Sequence, residues 1–160
     1  MQLVKKLWRI LKDDGWIVLN DREGVLMELM SLDYSKPLPT IPRGSQTARI
    51  VCKERSCFFI YAHESSTERG LWGFSGNVFN QIKGQEIINW AMIFLKESET
   101  EGFWAEPANA GQLIRRQDWT VKSGGDYILN YPRGVSGCLP FHSRSELLNY
   151  VNDFGKRSLL

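Results

Sequence analysis

The sequence predicts an α+β fold: a single domain in which a central mixed, largely antiparallel sheet is flanked by helices at both chain ends. Three observations carry that expectation. The clearest helical periodicities lie at the two ends of the chain. Between them, short β-rich runs alternate with Gly, Pro and Asn turn signals. The length, 160 residues, is that of one ordinary domain with a real core.

The opening helix rests on Leu3, Val4, Leu7, Ile10 and Leu11 at helical spacing, with Lys5, Lys6, Arg9 and Lys12 on the other face. Asp13-Asp14-Gly15 stops it. Trp16 to Leu19 then reads as a short buried strand ended by Asn20-Asp21. Residues 23–33 read as a helix, since Val25, Leu26, Leu29, Met30 and Leu32 fit its period and Met and Leu favour it. A Pro-rich loop spans 34–46, where Pro37, Pro39 and Pro42 each remove an amide donor.

Ala48 to Cys52 and Cys57 to Ala62 form a predicted hairpin across the polar KERS turn. Leu71 to Phe74 is a further strand closed by Ser75-Gly76-Asn77, and Val78 to Lys83 a brief helix. Ile87 to Leu95 is the most apolar run and fits a central strand buried on both faces. Phe103 to Ala105 is its hairpin partner across the acidic segment 97–101. A helix opens at Pro107 and runs to about Trp119. Tyr127 to Tyr131 is a strand that Pro132-Arg133-Gly134 closes. Ser143 with Glu146 matches a capping box, and Leu147, Leu148, Val151 and Phe154 supply the stripe of a last helix that Gly155 ends.

Composition narrows the function classes. Apolar residues at 42% and charged residues at 24% describe a globular chain, not a disordered one. The net charge of +2 is far from the strongly basic balance that alone would signal nucleic acid, so any polyanion has to meet a local patch. An apolar signal segment and a bilayer-length run are both missing from the pattern, which predicts a cytoplasmic protein without a membrane partner. Cys52, Cys57 and Cys138 form no regular framework and read as ordinary reduced thiols.

Chemistry-bearing motifs are sparse. His63 and His142 stand in no metal-binding spacing and read as packed or solvated residues, although His63-Glu64 at a strand end resembles the placement of catalytic groups. Gly70, Gly73 and Gly76 are spaced evenly, but the rings of Trp72 and Phe74 between them suit a strand and turn better than a phosphate cradle.

A metal-dependent nuclease of restriction-endonuclease-like fold is the enzymatic alternative. It needs acidic side chains around Mg²⁺ and a lysine near the scissile phosphate. Glu28, Asp33, Glu64 and Glu68 are the candidate carboxylates, with Lys53 or Lys83 as the basic group. The acidic-x-lysine pair of such sites is missing, because Gln81 stands where the carboxylate belongs in Gln81-Ile82-Lys83.

The leading expectation is a small binding module without a cofactor, with DNA or RNA as candidate partner. Lys5, Lys6, Arg9 and Lys12 form one basic segment; Arg115, Arg116, Trp119 and Lys122 form another in which the indole is positioned to stack on a base. A protein–protein adaptor using exposed Trp and Phe anchors is the third expectation.

Overall fold

The computed structural model describes every residue except Met1, Ser35, Arg43, Gly44, Gln46, Glu86 and Ile87. The chain is α+β, as its sequence predicts. In order it forms α1 (Gln2–Asp13), β1 (Ile17–Leu19), α2 (Arg22–Met30), β2 (Ala48–Lys53), β3 (Ser56–Glu64), β4 (Leu71–Phe74), α3 (Gly76–Lys83) and β5 (Asn89–Ser98). There follow β6 (Glu101–Ala105), α4 (Pro107–Arg115), β7 (Thr120–Val121), β8 (Tyr127–Asn130), a 3-10 turn (Arg133–Val135), β9 (Leu139–Phe141) and α5 (Arg144–Lys156).

Six strands form the main sheet in the order β1-β2-β3-β5-β6-β9. Only β3 and β5 pair in parallel; every other neighbour is antiparallel. This central pair is buried on both faces, with Cys57 to His63 and Ala91 to Leu95 all sealed from solvent. Such a strand needs cover above and below. Alternate residues therefore feed two cores. Val51, Phe58, Ile60, Ala91 and Ile93 pack under α1 and α5, whereas Ile50, Phe59, Tyr61, Met92 and Phe94 pack under α2, α3, α4 and a second sheet.

That second sheet, β4-β8-β7, is the main departure from expectation. Trp72 and Phe74 of β4 and Leu129 of β8 turn inward on it, and Trp72 Nε1 donates 2.8 Å to the Leu95 carbonyl of the main sheet. The indole thus buries its ring without leaving its N–H unpaired.

Smaller corrections have local causes. Helix α2 ends at Met30, and Asp33 takes a positive φ of 55° that no helix continues through. Helix α4 ends at Arg115 because Gln117 has φ 60°, so Trp119 lies beyond it. Strand β9, unexpected from the sequence, pairs with β6 at the sheet edge, where Pro140 is tolerated. Cys52 and Cys57 are directly opposed in the β2–β3 register and are joined as a disulfide, not reduced; Cys138 is free and buried.

Ser143 caps α5 as predicted, its side chain accepting from Glu146 N. Gly155 does not end the helix. It lies inside it, where a Cβ would come 2.8 Å from the Trp16 ring. On an open helix Gly→Ala stabilises by about 0.5–1 kcal/mol. Here the buried indole of Trp16 occupies the space, so G155A is expected to lower the urea midpoint instead. A raised midpoint would show that Trp16 yields freely.

Candidate functional site

The two basic segments sit on opposite layers. Helix α1 covers one face of the main sheet with Val4, Leu7, Trp8 and Leu11, leaving Lys5, Lys6, Arg9 and Lys12 exposed on its outer side. Arg115, Arg116 and Lys122 are also exposed, but they follow α4, whose Ala110 and Leu113 pack on the other face. The sheet separates them, and they do not form one surface.

Trp119 does not stack outward. It is 4% exposed, its Nε1 donates 2.8 Å to the Gly134 carbonyl, and its ring meets Phe74, Phe79, Phe94 and Tyr127. A flat ring is no platform for a base when both faces are packed. The adaptor expectation loses most of its Trp anchors in the same way, since Trp8, Trp16, Trp72 and Trp104 are buried too, while Trp90 is half-buried.

The candidate carboxylates are dispersed. Arg55 Nη1, in the β2–β3 turn, reaches the Leu32 carbonyl, which places Asp33 beside the start of β3. Glu28 lies on the last turns of α2 leading to that end. Glu64 closes β3 at the opposite end, and Glu68 follows in the turn towards β4. Nine residues of strand separate these ends, about 26 Å at ~3.3 Å per step. A shared cation needs oxygens about 2–2.6 Å away. Among the described residues no group of three or more acidic, His or Cys side chains is placed to hold a metal.

Several of these groups have structural work instead. Glu64 Oε1 accepts 2.8 Å from Val4 N and so caps the start of α1, where a carboxylate favours the helix dipole. Lys53 Nζ lies 3.4 Å from Asp14 Oδ2 and 3.3 Å from Asn152 Oδ1, linking the β2 end to α5. Lys83 Nζ stands 4.9 Å over the Phe79 ring.

His63 borders a concavity of about 410 Å³ together with Ser45, Thr47, Tyr61, Glu64 and Ser75. Its imidazole stacks against Phe74 at 4.7 Å and Phe94 at 5.5 Å, two rings that are themselves 6.3 Å apart, with the Tyr61 ring edge-on at 4.2 Å. Nε2 is sealed from solvent and meets no hydrogen-bond partner among the described residues. Burial pushes the imidazole pKa down to about 3 and the Tyr61 phenol up to about 12. A general base has to reach the proton it takes, and here Nε2 is sealed from solvent within a cluster of packed rings. His63 is a core residue. His142 is exposed in the loop before α5.

One exposed feature was not singled out from the sequence. Helix α2 turns Val25 and Leu29 inward and leaves Leu26, Met27 and Met30 exposed. The available signal was a surplus of apolar residues around a short helix, more than one buried stripe can absorb. No protein-family model matches the chain, and no curated protein sequence matches it.

The sealed imidazole has a pH consequence. Unfolded histidine takes up a proton near pH 6.5, whereas folded His63 resists protonation until about pH 3. Stability is therefore full above pH 6.5 and falls as pH drops from there towards 3, at up to about 1.4 kcal/mol per pH unit. Urea unfolding at stepped pH is expected to show this slope, and H63F to remove it. An equal slope in both proteins would assign the acid sensitivity to other groups.

Proposed function

We propose that the protein is a binding module that docks onto a polyanionic backbone, with DNA or RNA as the partner class, through the outer face of α1. The observation that carries this reading is the state of that face's cations. Lys5, Lys6, Arg9 and Lys12 are all exposed, and none is in an ion pair among the described residues. By contrast, Lys53, Arg133, Arg144 and Arg157 are each held by a carboxylate, and Arg115, Arg116 and Lys122, which also lack an ion pair among the described residues, do not recur along one helix face because α4 ends at Arg115. Lys5, Arg9 and Lys12 follow one another at helical spacing along a single stripe.

The Glu64 carboxylate already occupies the helix start. The docking contact is therefore the side of α1 and not its N-terminus. Arg115, Arg116 and Lys122 belong to the other layer and take no part in the same contact.

The charge count limits the strength. Each neutralised phosphate contributes about −0.9 to the slope of log K against log salt on duplex DNA, so a footprint of the α1 cations predicts a slope of about −3 to −4. Fluorescence anisotropy with labelled duplex DNA and duplex RNA across a salt series measures it. The combined variant K5E/R9E/K12E is expected to abolish binding, while R115E/R116E/K122E leaves it within about twofold. Failure to bind at low salt, or equal losses in both variants, would remove the reading.

A further inference from the structure

We infer that helix α2 is a docking surface for a basic amphipathic helix of a partner protein, separate from the polyanion face on α1. The surface has an apolar stripe, an acidic surround and an adjoining hollow.

The stripe consists of Leu26 at 38% exposure, Met27 at 68% and Met30 at 67%. Leu26 and Met30 are four residues apart and Met27 and Met30 three apart, so all lie on one side of the helix. Val25 and Leu29 hold the opposite side in the core at 1% exposure each. The exposed apolar groups are thus surplus to the fold. Methionine is flexible and polarizable, suited to contact with side chains of varied shape. Ile17 of the edge strand β1 is also exposed and faces the same side of the sheet, opposite Cys52 in register.

The surround selects the partner's charge. Residues 21–33 contain Asp21, Glu23, Glu28 and Asp33 against Arg22, and Arg55 reaches in to the Leu32 carbonyl, so a local excess of two negative charges remains in a chain whose net charge is +2. Glu23 shares the exposed side with Met27 and Met30. An apolar stripe set among carboxylates is complementary to a helix with apolar anchors at i, i+3 and i+4 and lysines or arginines beside them.

The hollow is a concavity of about 770 Å³ at the start of α2, lined by Asp21 and Arg22 on one side and by Leu38, Pro39, Ile41 and Pro42 of the Pro-rich loop on the other. A second copy of this chain is a poorer fit. The basic helix it offers, α1, has spent its apolar side on its own core and presents Lys5, Lys6, Arg9 and Lys12 with no exposed apolar anchor between them.

The test uses the full chain with ¹³C-labelled methionine methyls and two designed probes: a leucine–lysine amphipathic peptide and a leucine–glutamate peptide of the same pattern. The lysine peptide is expected to shift the Met27 and Met30 methyl signals saturably and to bind about tenfold tighter or more than the glutamate peptide. M27Q/M30Q changes only exposed side chains. It is expected to keep the circular dichroism spectrum and lose lysine-peptide binding at least about tenfold. Equal affinity for both peptides overturns the charge argument. Undiminished binding by M27Q/M30Q overturns the surface. Concentration-dependent dimerisation in sedimentation that the same variant abolishes reassigns the face to a second copy and overturns the partner.

Discussion

The β3–β5 parallel pair is the constraint on which the molecule depends. Both strands are sealed on both faces through Cys57 to His63 and Ala91 to Leu95. A strand buried on both sides requires two covering layers. Helices α1 and α5 provide one; α2, α3, α4 and the β4-β8-β7 sheet provide the other. Charged side chains are thereby displaced to the outside of a layer or to the ends of the sheet. The distribution of charge follows from this. Arg115 and Lys5 look alike in a list of cations, but a whole sheet stands between the layers that carry them.

The same constraint accounts for the aromatic residues. The second layer is built from a small sheet and short helices, and bulky rings fill its contact with the main sheet. Trp72 and Trp119 each bury an indole there and satisfy the N–H on a carbonyl, of Leu95 and Gly134 respectively. His63 is held in this ring cluster against Phe74 and Phe94. The layer of α1 and α5 buries rings as well, Trp8, Trp16, Trp104, Phe58, Phe141 and Phe154 among them, so richness in Trp and Phe measures how much core the two layers need together. It is not a sign of outward-facing stacking platforms.

Much of the fold was legible in the sequence where the cause is local. The period of α1, the Ser143 cap of α5 and the β2–β3 hairpin across KERS depend on residues close together in the chain. What was not legible depends on partners far apart. Strand β9 exists because β6 offers an edge, Gly155 is glycine because Trp16 lies against it, and Trp119 is inside because α4 stops at Arg115. For the candidate sites, identity and exposure of the lysines and arginines were readable, since a helical wheel gives the outer face of α1. Which cations share a surface, and whether Glu28, Asp33, Glu64 and Glu68 converge, are questions of sheet order that spacing does not answer.

The two borders of the main sheet have a bearing on how the molecule behaves when crowded. Each border strand, β1 and β9, is three residues long, and β9 has Pro140 at its centre with no amide hydrogen to offer. The long apolar strands, the ones able to template ribbon growth, are confined between them. A neighbouring chain seeking to extend the ladder finds a short rung on one side and an interrupted one on the other. The strand order of the main sheet thus works against edge-to-edge pairing by geometry alone, independently of the surface charge.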